Sequence, residues 1–543
     1  MIEWTSVGAG ALWIVGLAVV LAALSRSHWL ASERGMPFRA VLGTPACLGA
    51  CDLGLTMVSA GFCLSADLMW EHIVWAAFAL LYAALSWAEW RRMRREADAA
   101  PAPCLTLKEG TQLSGWRELF ASWMQRAELW WALVAIPFLL FPNRYSPWAL
   151  AGIVFLWALR LPVTGRLTVR TPVDWPVLVL ILLLPVALWA SADVSMTGPS
   201  LYRLVAGITV FSAVVNWAGS SRRLVIATAL LVLAGVGLTV VALFAATTWS
   251  GPKLFNAIPI LSKLPMYGKL LISEDINANV LAGGLVIVWP VAASLLAARL
   301  RVRGLKGALV RLCLAGSLLW MTAVLVLTQS RGAFLGLGVA VILMGVLRWP
   351  VLRWVVLLSC VALLVMVWQG GAQQLQQLAD VLSSTGTITS LAGRQEVWSR
   401  TIYMVQDFPY TGIGLGTFDR VQPLLYPFFL TTEEVHHAHN LFLQVAVDLG
   451  LPGLIAYLAL LIGSVYAAWQ AWQETRLLPE TGFLSALALG LLGSQAAWVV
   501  HGLLDAGVWA SKLAFVPWFI MGLAITTKAG GWPKERIGEN QQA

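Results

Sequence analysis

Three of the six histidines in this 543-residue chain fall within four positions, at His436, His437 and His439. Histidine takes up and releases a proton near neutral pH, so such a cluster could supply a general base. His439 directly precedes Asn440, a residue type that often caps the start of a helix, and a helix start would fix the orientation of the imidazole. We therefore expect His439 to accept the proton, with His437 and Asn440 in supporting roles.

Acidic residues beside the histidine cluster could orient an imidazole. Glu433 and Glu434 are both close in the chain, and the sequence does not choose between them. We retain Glu434 as a supporting candidate, together with His501. Zinc is the competing interpretation of the cluster, but neither a fixed helical histidine spacing nor a cysteine partner supports it. We expect no metal and no cofactor.

Two arginines upstream of the histidines are candidates for binding phosphate. Arg331 lies in TQSRGAFLGLG at the boundary of an apolar segment, and Arg394 begins a helical pattern in GRQEVWSRTIYMV, which also holds Arg400. A guanidinium binds phosphate oxygens through paired, charge-assisted hydrogen bonds, and two of them suit a diphosphate. The alternatives are an interfacial anchor for Arg331 and a salt bridge from Arg394 to Glu396 or Asp407.

Glycines occur in two segments, one before the histidine cluster and one directly after Arg331. The three glycines of DFPYTGIGLGTF could be mistaken for a dinucleotide fingerprint, but no βαβ pattern surrounds them and the required spacing is missing. We expect a tight turn that brings the backbone close to a ligand or another helix. Small residues after Arg331 would likewise let neighbouring helices approach closely. They are Gly332, Ala333, Gly336 and Gly338.

The elements that position these residues are membrane helices. Hydrophobic residues make up 59% of the chain and charged residues only 12%, which does not suit a water-soluble globule. Apolar runs of about 17–25 residues, long enough to cross roughly 30 Å of hydrocarbon as helices, recur almost throughout. We predict an all-α polytopic membrane protein with about fifteen transmembrane helices. The predicted spans are 7–24, 41–64, 68–90, 129–142, 148–163, 173–190, 201–218, 224–249, 276–298, 308–329, 332–348, 351–369, 440–472, 484–506 and 511–527.

Basic residues fall on every second connection between these spans, beginning with Arg26, Arg34 and Arg39. Under the positive-inside rule these connections are cytoplasmic. The other connections are then extracytoplasmic, and they include a helical segment, 369–439, before the third-last span. The net charge of +9 follows from this topology and from attraction to anionic lipid in the bilayer, so it implies no nucleic-acid partner.

We expect three parts along the chain. Residues 1–128 hold three spans and a cytoplasmic linker, Arg91 to Glu128, with an amphipathic helical pattern typical of a helix on the inner membrane surface. Residues 129–528 form a twelve-span core, and residues 529–543 a cytoplasmic tail. The first part is then an appendage of the core, with its role open.

The C-terminal half, residues 270–510, resembles the O-antigen ligase and polymerase family. The resemblance rests on TQSRGAFLGLG, GRQEVW and FPYTGIGLGTF, and above all on His439-Asn440 followed after nine residues by the GLPG of 450–453. The stretch INANVLAGG at 276–284, which contains Asn279, is similar to a span start common in that family.

The resemblance implies a GT-C-like multi-helix glycosyltransferase in the bacterial cytoplasmic (inner) membrane, with its active site on the extracytoplasmic face. The donor would be a glycan linked to undecaprenyl diphosphate. Arg331 and Arg394 would bind the diphosphate, and His439 would deprotonate the acceptor hydroxyl, with inversion at the anomeric carbon and no metal. The acceptor would be lipid A core for a ligase, a lipid-linked glycan for a polymerase, or a protein for an O-oligosaccharyltransferase.

A polysaccharide flippase or secondary transporter is the alternative of another class. Many spans favour it, whereas the long segment with clustered histidines and arginines and the lack of an obvious inverted repeat disfavour it. A transporter would place ionisable residues in the middle of its spans, and Asp52 is one of the few inside a predicted span.

Overall fold

The computed structural model describes residues 3–99, 115–164, 167–245, 277–298, 304–366, 391–429, 435–477 and 482–529. Within these ranges every regular element is a helix, which confirms the all-α fold class. The helices in chain order are α1 (Trp4–Arg34), α2 (Phe38–Leu42), α3 (Pro45–Ser65), α4 (Met69–Ala99), α5 (Gly115–Leu140), α6 (Ser146–Thr164), α7 (Asp174–Trp189), α8 (Val194–Trp217), α9 (Ser221–Ala245), α10 (Ala278–Ala297), α11 (Gly304–Thr328), α12 (Arg331–Arg348), α13 (Val351–Met366), α14 (Leu391–Asp407), α15 (Phe418–Leu425), α16 (Leu441–Thr475), α17 (Gly482–Gly502) and α18 (Phe515–Ala529).

Ten of the described helices are long and apolar enough to cross a membrane. Four further apolar helices are shorter, and they cover Ser146–Pro162, Asp174–Trp189, Val351–Ala362 and Phe515–Thr527. The prediction of a polytopic membrane protein is therefore confirmed. The figure of fifteen spans stays a prediction.

Helix α5 crosses the boundary that the sequence suggested at residue 128. It runs from Gly115 to Leu140, so the stretch expected to be a surface helix continues without a break into the next expected span. The N-terminal helices are also attached to the remainder. The buried side chains of Ala18 and Ala22 in α1 form a small apolar cluster with Ala459 in α16. The division of the chain into an appendage and a core stays a prediction.

A buried polar cluster joins α5, α6 and α8. Glu128 accepts hydrogen bonds from Asn216 at 2.6 Å and from Trp157 at 3.1 Å, and its other oxygen lies 3.4 Å from Arg160. A buried ion pair is tolerable only when hydrogen bonds satisfy both charges. Ionisable residues inside these helices thus have structural partners, so their presence there is not by itself evidence of a transport pathway.

The main core lies where α8, α10, α12, α16, α17 and α18 pack together. Close approach of α12 to α17 depends on small residues: a Cβ on Gly336 would lie 2.5 Å from the carbonyl oxygen of Ala497. Gly332 and Ala333 are also buried, so the predicted close packing after Arg331 is confirmed for these three. Gly338 faces open space, so for that residue the prediction is wrong. This packing fixes the start of α12, where Arg331 lies.

Candidate active site

Helices α14 and α15 precede α16 and pack against its first half. The buried side chains of Val397 and Met404 in α14 and Phe418 in α15 share an apolar cluster with Val447 of α16. The helical spacing predicted after Arg394 is therefore confirmed, and its buried face contacts protein. The cluster also includes Val435 and Ala438, so it anchors the segment that carries the histidines, residues 435–440, which we call the histidine loop.

Asn440 caps α16, as the sequence predicted. Its side-chain oxygen accepts hydrogen bonds from the backbone N–H groups of Phe442 at 3.0 Å and Leu443 at 3.1 Å. Its amide nitrogen donates to the carbonyl oxygen of Leu503 at 3.1 Å. Asn440 thus fixes the end of the histidine loop and joins it to the segment that follows α17, residues 503–514, which we call the Asp505 turn.

His439 has a left-handed backbone conformation, with φ of 46°. Non-glycine residues adopt this region uncommonly, and such strain tends to occur where a site holds a side chain in place. Trp398 of α14 supports it by donating its indole N–H to the carbonyl oxygen of His439 at 3.4 Å. The Nδ1 atom of His439 is buried and has no hydrogen-bond partner among the described residues.

Asp505 is a candidate site residue that sequence reasoning missed. Its Oδ1 lies 3.8 Å from Nε2 of His437 and accepts a hydrogen bond from Gly507 N at 3.0 Å. His437 Nδ1 accepts from the backbone N–H of His439 at 3.2 Å, so the neutral ring carries its hydrogen on Nε2, facing Asp505. Glu433 and Glu434, the two carboxylates that the sequence offered for orienting an imidazole, lie outside the described residues.

Burial and neighbouring charges determine the protonation state of each residue in this cluster. Burial lowers the pKa of His437 and of His439 below the usual range, and the attraction of Asp505 offsets this in part. Burial raises the pKa of Asp505, but the attraction of His437, His439 and His501 when they carry a proton, together with the hydrogen bond from Gly507, outweighs burial and holds that pKa below its usual value. At neutral pH the cluster therefore contains neutral imidazoles beside an ionised carboxylate, which is the state that a general base requires.

The two predicted arginines lie beside this cluster. Burial lowers the pKa of Arg394, and the charges that act on it are those of Asp505 and Arg331. Its Nε is buried and has no hydrogen-bond partner among the described residues, whereas Arg331 is exposed at the first position of α12. Asp407, one suggested salt-bridge partner, accepts a hydrogen bond from Tyr426 at 2.5 Å, and Glu396, the other, accepts one from the backbone of Phe429 at 2.5 Å.

His501 joins the cluster from α17. It is 2% exposed, and its ring lies against the backbone at Gly332, the residue after Arg331. Glycines of two neighbouring helices make room for its ring. A Cβ on Gly283 of α10 would lie 2.8 Å from its Nε2, and one on Gly332 of α12 would lie 3.2 Å from its Nδ1. The spacing of His501 and Asp505, four residues apart at the end of an apolar run, is the sequence signal that could have revealed Asp505.

The remaining supporting candidates have other partners. The guanidinium of Arg400 lies over the ring of Phe429, 4.9 Å from its centroid. Asn279 lies in the first turn of α10, where its backbone N–H donates to the side chain of Asn277 at 2.8 Å. Asn277 is thus the cap of that helix. The structure brings together Arg331, Arg394, His437, His439 and His501, and it adds Asp505.

A tight turn holds the DFPYTGIGLGTF segment, residues 407–418, against a break in α16. Gly450 interrupts that helix with φ of 71°. The N–H of Leu451 donates to Pro409 at 2.7 Å, and the N–H of Ile413 donates to Val447 at 2.8 Å. A Cβ on Gly412, whose φ is 65°, would lie 2.5 Å from the carbonyl oxygen of Val447. The predicted close approach of this turn to another helix is confirmed.

The spacing of the cluster would also allow a metal ion. One ligand atom from each of His437, His439 and Asp505 lies within 4.8 Å of the others. The positive charge of Arg394, which acts on both imidazoles, opposes a divalent cation there. The same charge, with that of Arg331, attracts an anion. The arrangement therefore suits an anionic group held by arginines beside a neutral histidine.

Comparison with known proteins adds an independent line of evidence. A model of the O-antigen ligase family matches residues 316–458. An exopolysaccharide production protein, ExoQ of Rhizobium meliloti (strain 1021), is 27% identical over 125 residues, which cover 22% of this chain and 26% of that protein. The match thus spans about a quarter of the relative's length. The segment that matches the O-antigen ligase family model, residues 316–458, holds Arg331, Arg394 and His439.

Proposed function

We propose that this protein is a membrane glycosyltransferase that moves a glycan from undecaprenyl diphosphate to an acceptor hydroxyl. The observation that carries the proposal is the position of Arg394: it is largely buried, and its charge acts on His437 and His439 and interacts with the charges of Arg331 and Asp505. A diphosphate leaving group needs its charge neutralised more than it needs a proton, and guanidinium groups supply that neutralisation. The match of residues 316–458 to the O-antigen ligase family model agrees with this chemistry.

The reaction begins with removal of a proton from the acceptor hydroxyl by the neutral imidazole of His439. The acceptor oxygen attacks the anomeric carbon on the face opposite the diphosphate, so a new glycosidic bond forms with inverted configuration. The bond between the anomeric carbon and the diphosphate oxygen breaks, and its electron pair leaves with the lipid diphosphate. Asp505 stabilises the imidazolium that forms, and Arg331 and Arg394 stabilise the departing anion.

The extracytoplasmic face is part of this proposal. It rests on the alternation of basic connections along the chain, because positively charged loops are retained on the cytoplasmic side. The histidine loop directly precedes α16, and Arg476 directly follows that helix at its opposite end. A donor whose glycan faces the outside of the cytoplasmic membrane would meet the site there.

A second candidate reaction is polymerisation of a polysaccharide. The curated relative is named for exopolysaccharide production, which favours a glycan acceptor over lipid A core. The two reactions share the donor and the site and differ only in the acceptor. A protein O-oligosaccharyltransferase is a third member of the same group.

The proposal is tested with purified protein in proteoliposomes that contain a diphosphate-linked oligosaccharide. We expect transfer to an acceptor glycan, with release of the lipid diphosphate. Movement of intact donor across the bilayer without cleavage would favour a flippase and contradict the proposal.

Cells that lack the protein identify the acceptor class by mass analysis of lipid-linked glycans. Accumulation of single repeats indicates a polymerase. Accumulation of full-length chains that stay on the lipid indicates a ligase, whereas glycan missing from a secreted protein indicates the protein-directed reaction.

A further inference from the structure

A buried carboxylate outside the histidine cluster connects three segments around it. Asp448 lies in the first half of α16 and is 1% exposed. Its Oδ1 accepts hydrogen bonds from the backbone N–H of Gly416 at 3.3 Å and from Gln444 Nε2 at 3.0 Å. Its Oδ2 accepts from Trp509 Nε1 at 2.9 Å. These donors belong to the turn after α14, to α16 itself and to the Asp505 turn.

The contacts of Gln444 extend this network into the histidine loop. Its side-chain oxygen accepts from the backbone N–H of Ala438 at 2.7 Å. Ala438 stands between His437 and His439 in the chain. At the other end, Trp509 lies four residues after Asp505. A continuous set of hydrogen bonds therefore runs from the backbone between the two histidines, through Gln444 and Asp448, to the turn that carries Asp505.

The buried carboxylate makes this network intolerant of movement in the segments it joins. A carboxylate removed from water is costly unless donors satisfy its oxygens, so a shift of either segment that breaks one contact leaves a buried charge partly unsatisfied. Trp509 is held from a second direction, because its ring packs edge-on against Tyr457 with centroids 5.0 Å apart. The apolar core around α16 would pack without any charge here. A role in holding the histidine loop and the Asp505 turn at a fixed separation would account for a carboxylate at this position.

We propose that Gln444, Asp448 and Trp509 are positioning residues that hold the histidine loop and the Asp505 turn at the separation that glycan transfer requires. This inference rests on the function proposed above. None of the three touches the reacting atoms in the proposed mechanism. Their effect on the reaction passes through His437, His439 and Asp505.

The first test uses two substitutions that break the same contact from opposite sides. Asp448→Asn keeps the shape of the side chain but replaces one oxygen with an NH2 group. That group cannot accept the hydrogen bond that the oxygen accepted, so one of the existing donors loses its partner. Trp509→Phe removes the indole N–H and keeps an aromatic ring against Tyr457. We expect each to lower kcat for transfer by about 10- to 100-fold, because misplacement of reacting groups by about 1 Å has that effect, while KM for the donor changes little.

The double variant tests whether the two residues act through one contact. In Asp448→Asn with Trp509→Phe, the new amide no longer meets the indole donor. We expect the double variant to lose less activity than the product of the two single losses. Losses that multiply would show independent effects and overturn the inference.

A second readout does not depend on activity. Spin labels are placed at His436, whose side chain is 70% exposed, and at Leu503, which is 46% exposed, so that one label reports on each segment. We expect a narrow distance distribution in the otherwise unchanged protein and a broader or shifted one in Asp448→Asn and Trp509→Phe. An unchanged distribution in both would overturn the inference.

Ser464→Ala is the matched control. Ser464 also lies in α16 and is buried, and it forms a 2.5 Å hydrogen bond to Gln495 of α17 at a place remote from the histidine loop. We expect it to leave both kcat and the label distance unchanged. His439→Ala, measured alongside, separates the two proposals. Full activity in His439→Ala would contradict the proposed function, whereas its loss together with normal kcat in the folded network variants would contradict only the positioning inference.

Discussion

The Nε2 atom of His437 lies 3.8 Å from Oδ1 of Asp505, although the two residues are 68 positions apart in the chain. The contact joins the loop before α16 to the turn after α17. Because the Nδ1 atom of His437 accepts a hydrogen bond from the backbone of His439, the tautomer of His437 and the position of His439 are set together. The carboxylate is thereby linked to the proposed base through its neighbour.

Substitution Asp505→Asn should slow transfer without abolishing donor binding. The amide keeps the shape of the side chain but cannot stabilise an imidazolium, so we expect a loss in kcat of about 10²–10⁴-fold, comparable to removal of an acid–base group. Asp419→Asn is the matched control, because Asp419 makes a similar contact at 3.6 Å with His436, outside the cluster. Equal losses in both variants would remove the special role of Asp505.

His439→Ala should bind the lipid-linked donor but transfer its glycan about 10²–10⁴-fold more slowly, as expected for loss of a general base. His436→Ala should retain most of its activity, since the side chain of His436 is 70% exposed and faces Asp419. Single-turnover transfer and donor binding are measured on the same folded preparations. Weakened donor binding with an unchanged rate constant for transfer would assign His439 to binding.

The rate should respond to pH in a direction set by burial and by Asp505. Burial lowers the pKa of His439, so the base stays neutral below the pH at which a free histidine titrates, about 6.5, and the acid limb of the rate lies below that value. The charge of Asp505 acts to raise the same pKa. Asp505→Asn should therefore move the acid limb to still lower pH.

The same pKa shifts predict how stability depends on pH. The unfolded chain binds protons on His437 and His439 at higher pH than the folded protein does, so these residues cost no stability above about pH 6.5. Their contribution becomes destabilising as the pH falls below that value. Thermal unfolding and single-turnover rates measured between about pH 4.5 and 8 check both statements. An acid limb of the rate at or above pH 6.5 in the unchanged protein would contradict the first statement, and stability that does not fall below that pH would contradict the second.

Arg331→Lys and Arg394→Lys should each lower kcat/KM for the donor by about 10- to 100-fold. Lysine keeps the charge but cannot form the two parallel hydrogen bonds that a guanidinium makes with phosphate oxygens. Arg420→Lys, on the exposed side of α15, is the control and should behave normally. Normal kcat/KM in both site variants would leave the arginines as interfacial anchors.

Cysteine labelling checks the topology. Tyr410→Cys and Leu477→Cys are made in a variant whose six native cysteines are replaced. The two positions are similarly accessible, with exposures of 75% and 80%. A membrane-impermeant thiol reagent should label residue 410 and not residue 477 in intact spheroplasts. The reverse pattern would place the histidine loop on the cytoplasmic side.

The all-helical membrane fold and much of the site were predictable from local features. Apolar run length depends only on neighbouring residues and on the thickness of the bilayer. The cap at Asn440 and the turn that packs against α16 are local as well, because a side chain or a glycine meets the need of its own segment. Arg394 and His439 could be named because their chemistry is evident from residue type and from the family motifs around them.

Only the tertiary structure shows which described carboxylates lie at the candidate site and what they contact. Asp505 comes close to the histidine loop because α16 and α17 pack side by side, and the same packing brings Trp509 to Asp448 of α16. Sequence reasoning considered Glu433 and Glu434 because they are close to the histidines along the chain, and both lie outside the described residues. Sequence reasoning did not single out Asp448, because one charged residue within an apolar run indicates a role only when its hydrogen-bond donors are known. Those donors come from three segments. The hydrogen-bond partners of a buried carboxylate decide whether its burial is tolerated and which segments it connects, and the fold determines which partners those are.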